Sequence, residues 1–185
     1  MVQFKRQIVP IDAGSTAHTT TLAGALRENL DGLYRFALRL TRNPDEAQEL
    51  TQEAATRAWE RQTSAVQNWR AWLFQTLYHL FISSRRHRRR WNISGDGNSE
   101  TEILEESGLR FPTVIATEDV RRAIEALPQE LRTVVWLSDA EEFRLREISQ
   151  ILDCPIGTVA SRLWRARQEL RKFLSAYGPL GEKQP

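Results

Sequence analysis

The chain has 185 residues, a formal net charge of +2 and one cysteine. This length allows one compact domain or two small ones, and a single cysteine excludes an internal disulfide framework. Because the net charge is small, a surface for nucleic acid has to come from the local arrangement of charge. No apolar run reaches the length of a signal-peptide core or a membrane span, so we expect a soluble cytoplasmic protein.

Apolar residues recur every three or four positions after residues 1–20, which we expect to form a disordered tail. The first predicted helix ends at Thr41–Pro44. Asn43 is a good cap for the second helix, and proline suits its first position. The outer face of this second helix carries Glu46, Glu49, Gln52 and Glu53. Such a face is either solvated or a docking surface for a basic partner.

A third predicted helix has aromatic and leucine residues at core spacing and ends in a dense run of cations. Residues 85–90 comprise five arginines and one histidine. Interaction with the helix dipole is worth at most about 1 kcal/mol for each exposed cation. That gain does not explain so many like charges in a row, whereas neutralisation of DNA phosphates does. A solvated helix end or an RNA-binding arm remains an alternative.

A change in composition divides the chain. Residues 92–117 contain glycine, serine and four glutamates between positions 100 and 106, and we expect an acidic, flexible linker. Helical spacing resumes at Glu118 and continues to residue 177, and residues 178–185 are expected to form a C-terminal tail. The sequence therefore predicts an all-α fold of two small helical domains, residues 21–91 and 118–177, joined by the linker.

The segment Leu145–Leu170 predicts two helices around a tight break at Asp153–Pro155. Aspartate tolerates the left-handed backbone that a helix end often needs, and proline can open a new helix. One side of the second helix is apolar, and its other side carries Ser161, Arg162, Trp164, Arg165 and Arg167. This pattern is typical of a helix-turn-helix, although ordinary helical bundles also contain it.

Three blocks in this order resemble the extracytoplasmic-function (ECF, group IV) RNA polymerase sigma factors of the sigma-70 family. The blocks are EAQELTQEAATRAWE at Glu46–Glu60, NWRAWLFQTLYHLFISSRRHRRR at Asn68–Arg90, and the segment Leu127–Arg167, which ends in GTVASRLWRAR. The resemblance covers about residues 22–175. It implies a sigma region 2 bundle of three or four helices in residues 21–91 and a sigma region 4 helix-turn-helix in residues 118–177.

The resemblance also implies a function and its residues. The protein would bind core RNA polymerase and direct promoter-specific initiation, with minus-10 melting and minus-35 recognition. The clamp helices of the largest polymerase subunit would contact Glu46, Glu49, Gln52 and Glu53. Minus-10 DNA would contact Asn68, Arg70, Trp72, His79, Arg85, Arg86 and Arg88. Region 4 would lie on the polymerase flap and contact minus-35 DNA through Thr158, Ser161, Arg162, Trp164, Arg165 and Arg167. Trp72 also has the spacing of a core residue.

Some positions depart from the family pattern. Ala160 stands where the family often has lysine or arginine, which puts one DNA contact in doubt. His79 and Ser83 stand where asparagine and aspartate are common, so the minus-10 preference is open. The family further implies an anti-sigma factor as a partner. We expect no membrane insertion, because no apolar run has membrane-spanning length. We expect no enzymatic activity, metal or cofactor, because the histidines are scattered and no phosphate-binding glycine loop is present. The alternative function is a stand-alone helix-turn-helix regulator.

Overall fold

A computed structural model describes residues 21–61, 66–92 and 118–175. It contains the helices α1 (Leu22–Thr41), α2 (Pro44–Arg61), α3 (Trp69–Asn92), α4 (Glu118–Ala126), α5 (Gln129–Val135), α6 (Leu145–Ile151) and α7 (Ile156–Ser175). A π-helical turn, Trp136–Ala140, follows α5. These ranges contain no β-strand, which confirms the predicted all-α class. The expected tails and all of the expected linker except Asn92 lie outside the described residues.

The first unit, α1 to α3, is a bundle in which each helix contacts the other two. Arg42 ends α1 in the left-handed conformation with φ of 56°, and Asn43 Oδ1 then accepts a hydrogen bond from Glu46 N at 3.0 Å. The predicted cap of α2 is therefore confirmed. Phe36 and Phe74 are fully buried with ring centroids 5.3 Å apart. The buried alanines of α2, Ala47, Ala54 and Ala58, belong to the same core.

The second unit is formed by α4 to α7, and α7 contacts each of the other three helices. Its largest fully buried side chains are Val134, Leu137, Ile148, Ile151 and Val159. Asp153 has φ of 50°, so the chain turns at the predicted break between α6 and α7. Pro155 precedes α7, and its carbonyl accepts a hydrogen bond from Thr158 N at 2.9 Å. The helix-turn-helix is thus present at the predicted position.

The two units pack against each other through an interface that we call the seam. Helix α6 lies against α3, and α5 touches α1. Phe143, in the loop before α6, is edge-on to Phe74 of α3 with centroids 5.0 Å apart. The buried apolar residues of both units therefore form one continuous cluster. Helical periodicity does not predict this contact, because it reports a buried face but not which distant helix covers it.

Among the described residues, every helix is too short or too polar to traverse a bilayer.

Candidate nucleic-acid and partner interfaces

The acidic face of α2 is only partly as the sequence predicts. Glu49, Gln52 and Glu53 are exposed and line one open groove together with Leu50 and Thr56. Glu53 also accepts a hydrogen bond from Arg57 Nε at 2.7 Å, one turn further along the helix. Three of the four predicted polymerase-binding side chains therefore share an accessible surface, which we call the α2 face.

Glu46, the fourth member of that set, is directed elsewhere. Its side chain is only 19% exposed and forms two hydrogen bonds with the guanidinium of Arg88 near the end of α3. The sequence places Glu46 one turn before Glu49, and therefore on the same side of the helix. Only the packing of α3 beside the start of α2 shows that Glu46 has a partner within its own unit.

The C-terminal end of α3 is an exposed cationic surface. Arg85, Arg86, Arg88 and Arg90 are all exposed. Arg85 Nη1 donates a hydrogen bond to Gln129 Oε1 at the start of α5, across the seam. The predicted phosphate-binding arginines thus remain accessible to solvent, although two of them already bind other side chains.

Arg70, at the other end of α3, is a seam residue. Its Nη2 donates to the backbone carbonyl of Glu141 at 2.6 Å and to Glu141 Oε2 at 3.0 Å. Its Nε donates to Asn29 Oδ1 at 3.1 Å. The guanidinium carbon also lies 4.0 Å from the ring centroid of Phe143, which is a favourable cation–π distance. One predicted minus-10 side chain therefore connects α1, α3 and the loop before α6.

Other predicted minus-10 residues near the start of α3 have structural partners as well. Asn68 Oδ1 accepts from Ala71 N at 3.0 Å, and Asn68 Nδ2 donates to Glu147 Oε1 at 3.1 Å. Trp72 is 4% exposed and packs edge-on to Trp69, with centroids 5.6 Å apart. In this conformation Trp72 is a core residue and offers no surface for base stacking. His79 is exposed.

Glu141 is the acidic partner at the seam, and sequence reasoning assigned it no role. Burial raises the pKa of its carboxyl group, while the nearby cations Arg70 and Arg35 act in the opposite direction. Its carboxylate lies close to α1 at Gly32, where the lack of a side chain leaves room for it. A Cβ at Gly32 would lie 3.2 Å from Glu141 Oε2. No spacing rule connects Glu141 with Arg70, since 71 positions separate them.

Helix α7 presents the predicted minus-35 surface. Ser161, Trp164, Arg165 and Arg167 are exposed, and Trp164 reaches 64% exposure. Thr158 is half-buried, and its carbonyl accepts a hydrogen bond from Ser161 Oγ at 3.0 Å. Ala160 is also exposed. Arg162 is therefore the first positively charged residue along α7.

The three arginines of the predicted minus-35 surface on α7 differ in how they are bound. Arg162 is half-buried and lies 3.6 Å from Glu130, and Arg167 lies 2.9 Å from Asp139. Arg165 has neither a hydrogen bond nor an ion pair to any other residue that the structure describes. Arg165 is therefore the arginine of this face whose donors are available to a ligand. In the described ranges no cluster of histidine, cysteine and acidic side chains is suited to a metal ion.

Comparisons with known proteins identify the family of this chain. The Sigma-70 region 2 family matches residues 25–91, and the Sigma-70 region 4 family matches residues 117–170. The ECF RNA polymerase sigma factor EcfG of Rhodopseudomonas palustris is 33% identical over 85% of this chain and 89% of its own length. SigW of Bacillus subtilis is 30% identical over 78% and 83%. SigE of Mycolicibacterium smegmatis is 32% identical over 82% of this chain but only 61% of its own length.

A solved structure is also similar. The sigma factor RpoE from Bartonella quintana, crystallised in complex with the anti-sigma factor NepR, has a TM-score of 0.66 and 30% identity. The match covers 81% of this chain and 94% of that one. The protein is therefore a member of the sigma-70 family that contains regions 2 and 4. More narrowly, it belongs to the extracytoplasmic-function sigma factors, which direct RNA polymerase in transcription initiation.

The environment of Glu141 predicts a pH dependence of stability. A carboxyl group whose pKa is raised by folding contributes stability that is present below its unfolded pKa. That contribution to stability is lost as the pH rises through the pKa of the group in the folded protein. Between pH 4.5 and 7.5 the wild-type free energy of unfolding should therefore fall relative to that of Glu141→Gln. Urea denaturation at several pH values measures this difference. The exposed neighbouring substitution Glu142→Gln is the control, and an equal pH dependence in both variants would contradict the prediction.

Proposed function

We propose that this chain binds core RNA polymerase through the α2 face and directs initiation at promoters with minus-10 and minus-35 elements. The supporting observation is that this sigma-70 family protein has three exposed, charged helix surfaces. They are the acidic α2 face, the cationic end of α3 and the outer face of α7. A stand-alone repressor needs only the third surface. DNA and polymerase are both in the cytoplasm, so we propose that the protein acts there.

The α2 face supports docking on a basic surface. Glu49 and Glu53 are exposed carboxylates on one side of α2, with Gln52 between them. Exposed charges of one sign steer association with a surface of the opposite sign and raise the association rate. We assign this face to the clamp helices of the largest polymerase subunit, and we assign region 4 to the flap.

The cationic end of α3 suits the phosphates of the minus-10 element. Arg85, Arg86 and Arg88 are exposed at this end, with His79 further back along the helix. Strand opening requires a site for unstacked bases, and stacking on an aromatic side chain is worth about 1–3 kcal/mol per base. Because Trp72 is buried, base stacking there requires a rearrangement near the start of α3.

Minus-10 contact also requires the two units to separate. Asn68 and Arg70 are bound to Glu147 and Glu141 of the second unit, and Arg85 is bound to Gln129. Asn68 and Arg70 have to leave these partners before they can contact DNA, whereas Arg85 is already exposed and has only to release Gln129. We therefore propose that the polymerase holds the two units apart, with one unit at each promoter element.

The outer face of α7 suits the major groove at the minus-35 element. Arg165 is the side chain best placed to bind a base edge, since a guanidinium binds guanine O6 and N7 with two donors. Arg162 and Arg167 are held by Glu130 and Asp139, which favours a role at phosphates. Thr158, Ser161 and Trp164 complete the proposed contact surface.

We further propose that an anti-sigma factor binds this protein. The support is the similarity to a sigma factor that was crystallised with such a partner. The partner of this chain is not identified by that similarity.

Run-off transcription from a promoter library tests the proposed function. Core polymerase with this protein should give transcripts that core polymerase alone does not give. The absence of any protein-dependent transcript would contradict the proposal. Tight binding of a DNA site without polymerase would instead favour a stand-alone helix-turn-helix regulator.

The substitution Arg165→Ala should weaken promoter binding by the holoenzyme by about 1–3 kcal/mol, because it removes one base contact. The loss should disappear on templates whose minus-35 sequence is scrambled. Arg171→Ala is a matched control, since Arg171 is exposed on the same helix nearer its C-terminal end. Equal losses for both variants would show that α7 contributes only general positive charge.

A further inference from the structure

Glu46 differs from the rest of the predicted polymerase-binding set in what its carboxylate contacts. Arg88 Nη1 donates to Glu46 Oε2 at 3.1 Å, and Arg88 Nη2 donates to Glu46 Oε1. The side chain of Glu46 is four-fifths buried, whereas that of Arg88 is 54% exposed. We propose that Glu46 is a positioning residue that holds the Arg88 guanidinium where the minus-10 phosphates bind. This inference rests on the proposed function.

The start of α2 fixes the position of Glu46. Asn43 Oδ1 accepts a hydrogen bond from Glu46 N at 3.0 Å, and Pro44 begins the helix with a restricted φ. Glu46 lies in the first turn, where the positive end of the helix dipole stabilises a carboxylate. The start of α2 thus fixes the Glu46 carboxylate. The long side chain of Arg88 is the one that loses freedom when the pair forms.

Arg88 can bind Glu46 and a phosphate at the same time. A guanidinium has five N–H donors in a planar fork, and the two bonds to Glu46 use two of them. The carboxylate does reduce the net charge that a phosphate meets. At a half-exposed site, however, solvent and salt screen this effect, while an arginine that is already ordered loses less conformational entropy on binding. We therefore expect preorganisation to outweigh the reduction in charge.

The pair also persists when the seam opens. Arg85 is held by Gln129 of the second unit, and this contact is lost on separation of the units. Glu46 and Arg88 both belong to the first unit, so their contact does not depend on the seam. Like charge at Arg85 and Arg86 would displace an unpaired Arg88, and the carboxylate of Glu46 opposes that displacement.

The experiment separates polymerase binding from DNA opening. In Glu46→Ala, affinity for core polymerase should stay within about twofold of wild type, while open-complex formation by saturated holoenzyme should fall about tenfold, as expected when an ordered charged contact is lost. Arg88→Ala should give a similar loss, and the double variant should lose no more than Arg88→Ala alone. Glu53→Ala is the comparison variant on the α2 face, and it should weaken core binding instead.

A charge exchange tests whether the role is more than structural. Glu46→Arg combined with Arg88→Glu rebuilds the ion pair but places a carboxylate at the phosphate site. The melting temperature of the exchanged pair should exceed that of Glu46→Arg alone, because the ion pair is rebuilt, and open-complex formation should stay low. Recovery of both the melting temperature and open-complex formation would show that the pair is purely structural, and it would overturn the proposal. Glu46→Gln keeps the shape of the side chain and removes its charge. Circular dichroism verifies that each variant is folded.

The outcomes also distinguish this inference from the function on which it rests. If wild-type protein gives no protein-dependent transcript, both proposals fall. If wild type transcribes and Glu46→Ala opens promoters equally well, only the positioning role falls. Loss of core binding in Glu46→Ala with normal opening by the remaining holoenzyme would assign Glu46 to the α2 face and overturn the inference. Additive losses of open-complex formation in the double variant of Glu46→Ala and Arg88→Ala would also overturn the inference.

Discussion

The contact on which the closed arrangement depends is that of Arg70 with the loop before α6. One guanidinium binds the backbone and carboxylate of Glu141, the amide oxygen of Asn29 and the face of Phe143. It thereby joins residues of α1 and α3 to the helix-turn-helix unit. Each unit is small, and a small helical module buries too little surface to be very stable alone. The seam gives both units additional buried area.

The seam combines favourable and unfavourable free-energy terms, and this balance suits a contact that we propose opens on the polymerase. Packing of Phe74 against Phe143 removes apolar surface from water. Burial of Glu141, which is only 8% exposed, requires desolvation of a carboxylate, and its pairing with Arg70 offsets part of that cost. Replacement of the polar contacts by polymerase and DNA can therefore compete with the closed state. A wholly apolar interface of the same area would be harder to separate.

The sequence predicts the helices, the cap at Asn43, the break at Asp153 and the outward face of α7, because each depends on residues a few positions apart. It does not predict the seam. Arg70 and Glu141 are 71 positions apart, and no periodicity connects them. For the same reason the sequence cannot separate Glu46 from Glu49, which share one side of α2 but differ in what packs beside them. Tertiary packing determines which partner each long polar side chain binds. The sequence alone therefore gives roles for these side chains only through the family resemblance.

The distance between the two units, measured by electron paramagnetic resonance, tests this account most directly. Spin labels at Glu28 of α1 and Arg171 of α7, both exposed, would report on separation in a Cys154→Ser background. The free protein should give one narrow distance, and the complex with core polymerase and promoter DNA should give a longer one. An unchanged distance in the transcribing complex, or a broad and long distribution in the free protein, would contradict a seam that closes in isolation and opens on the polymerase.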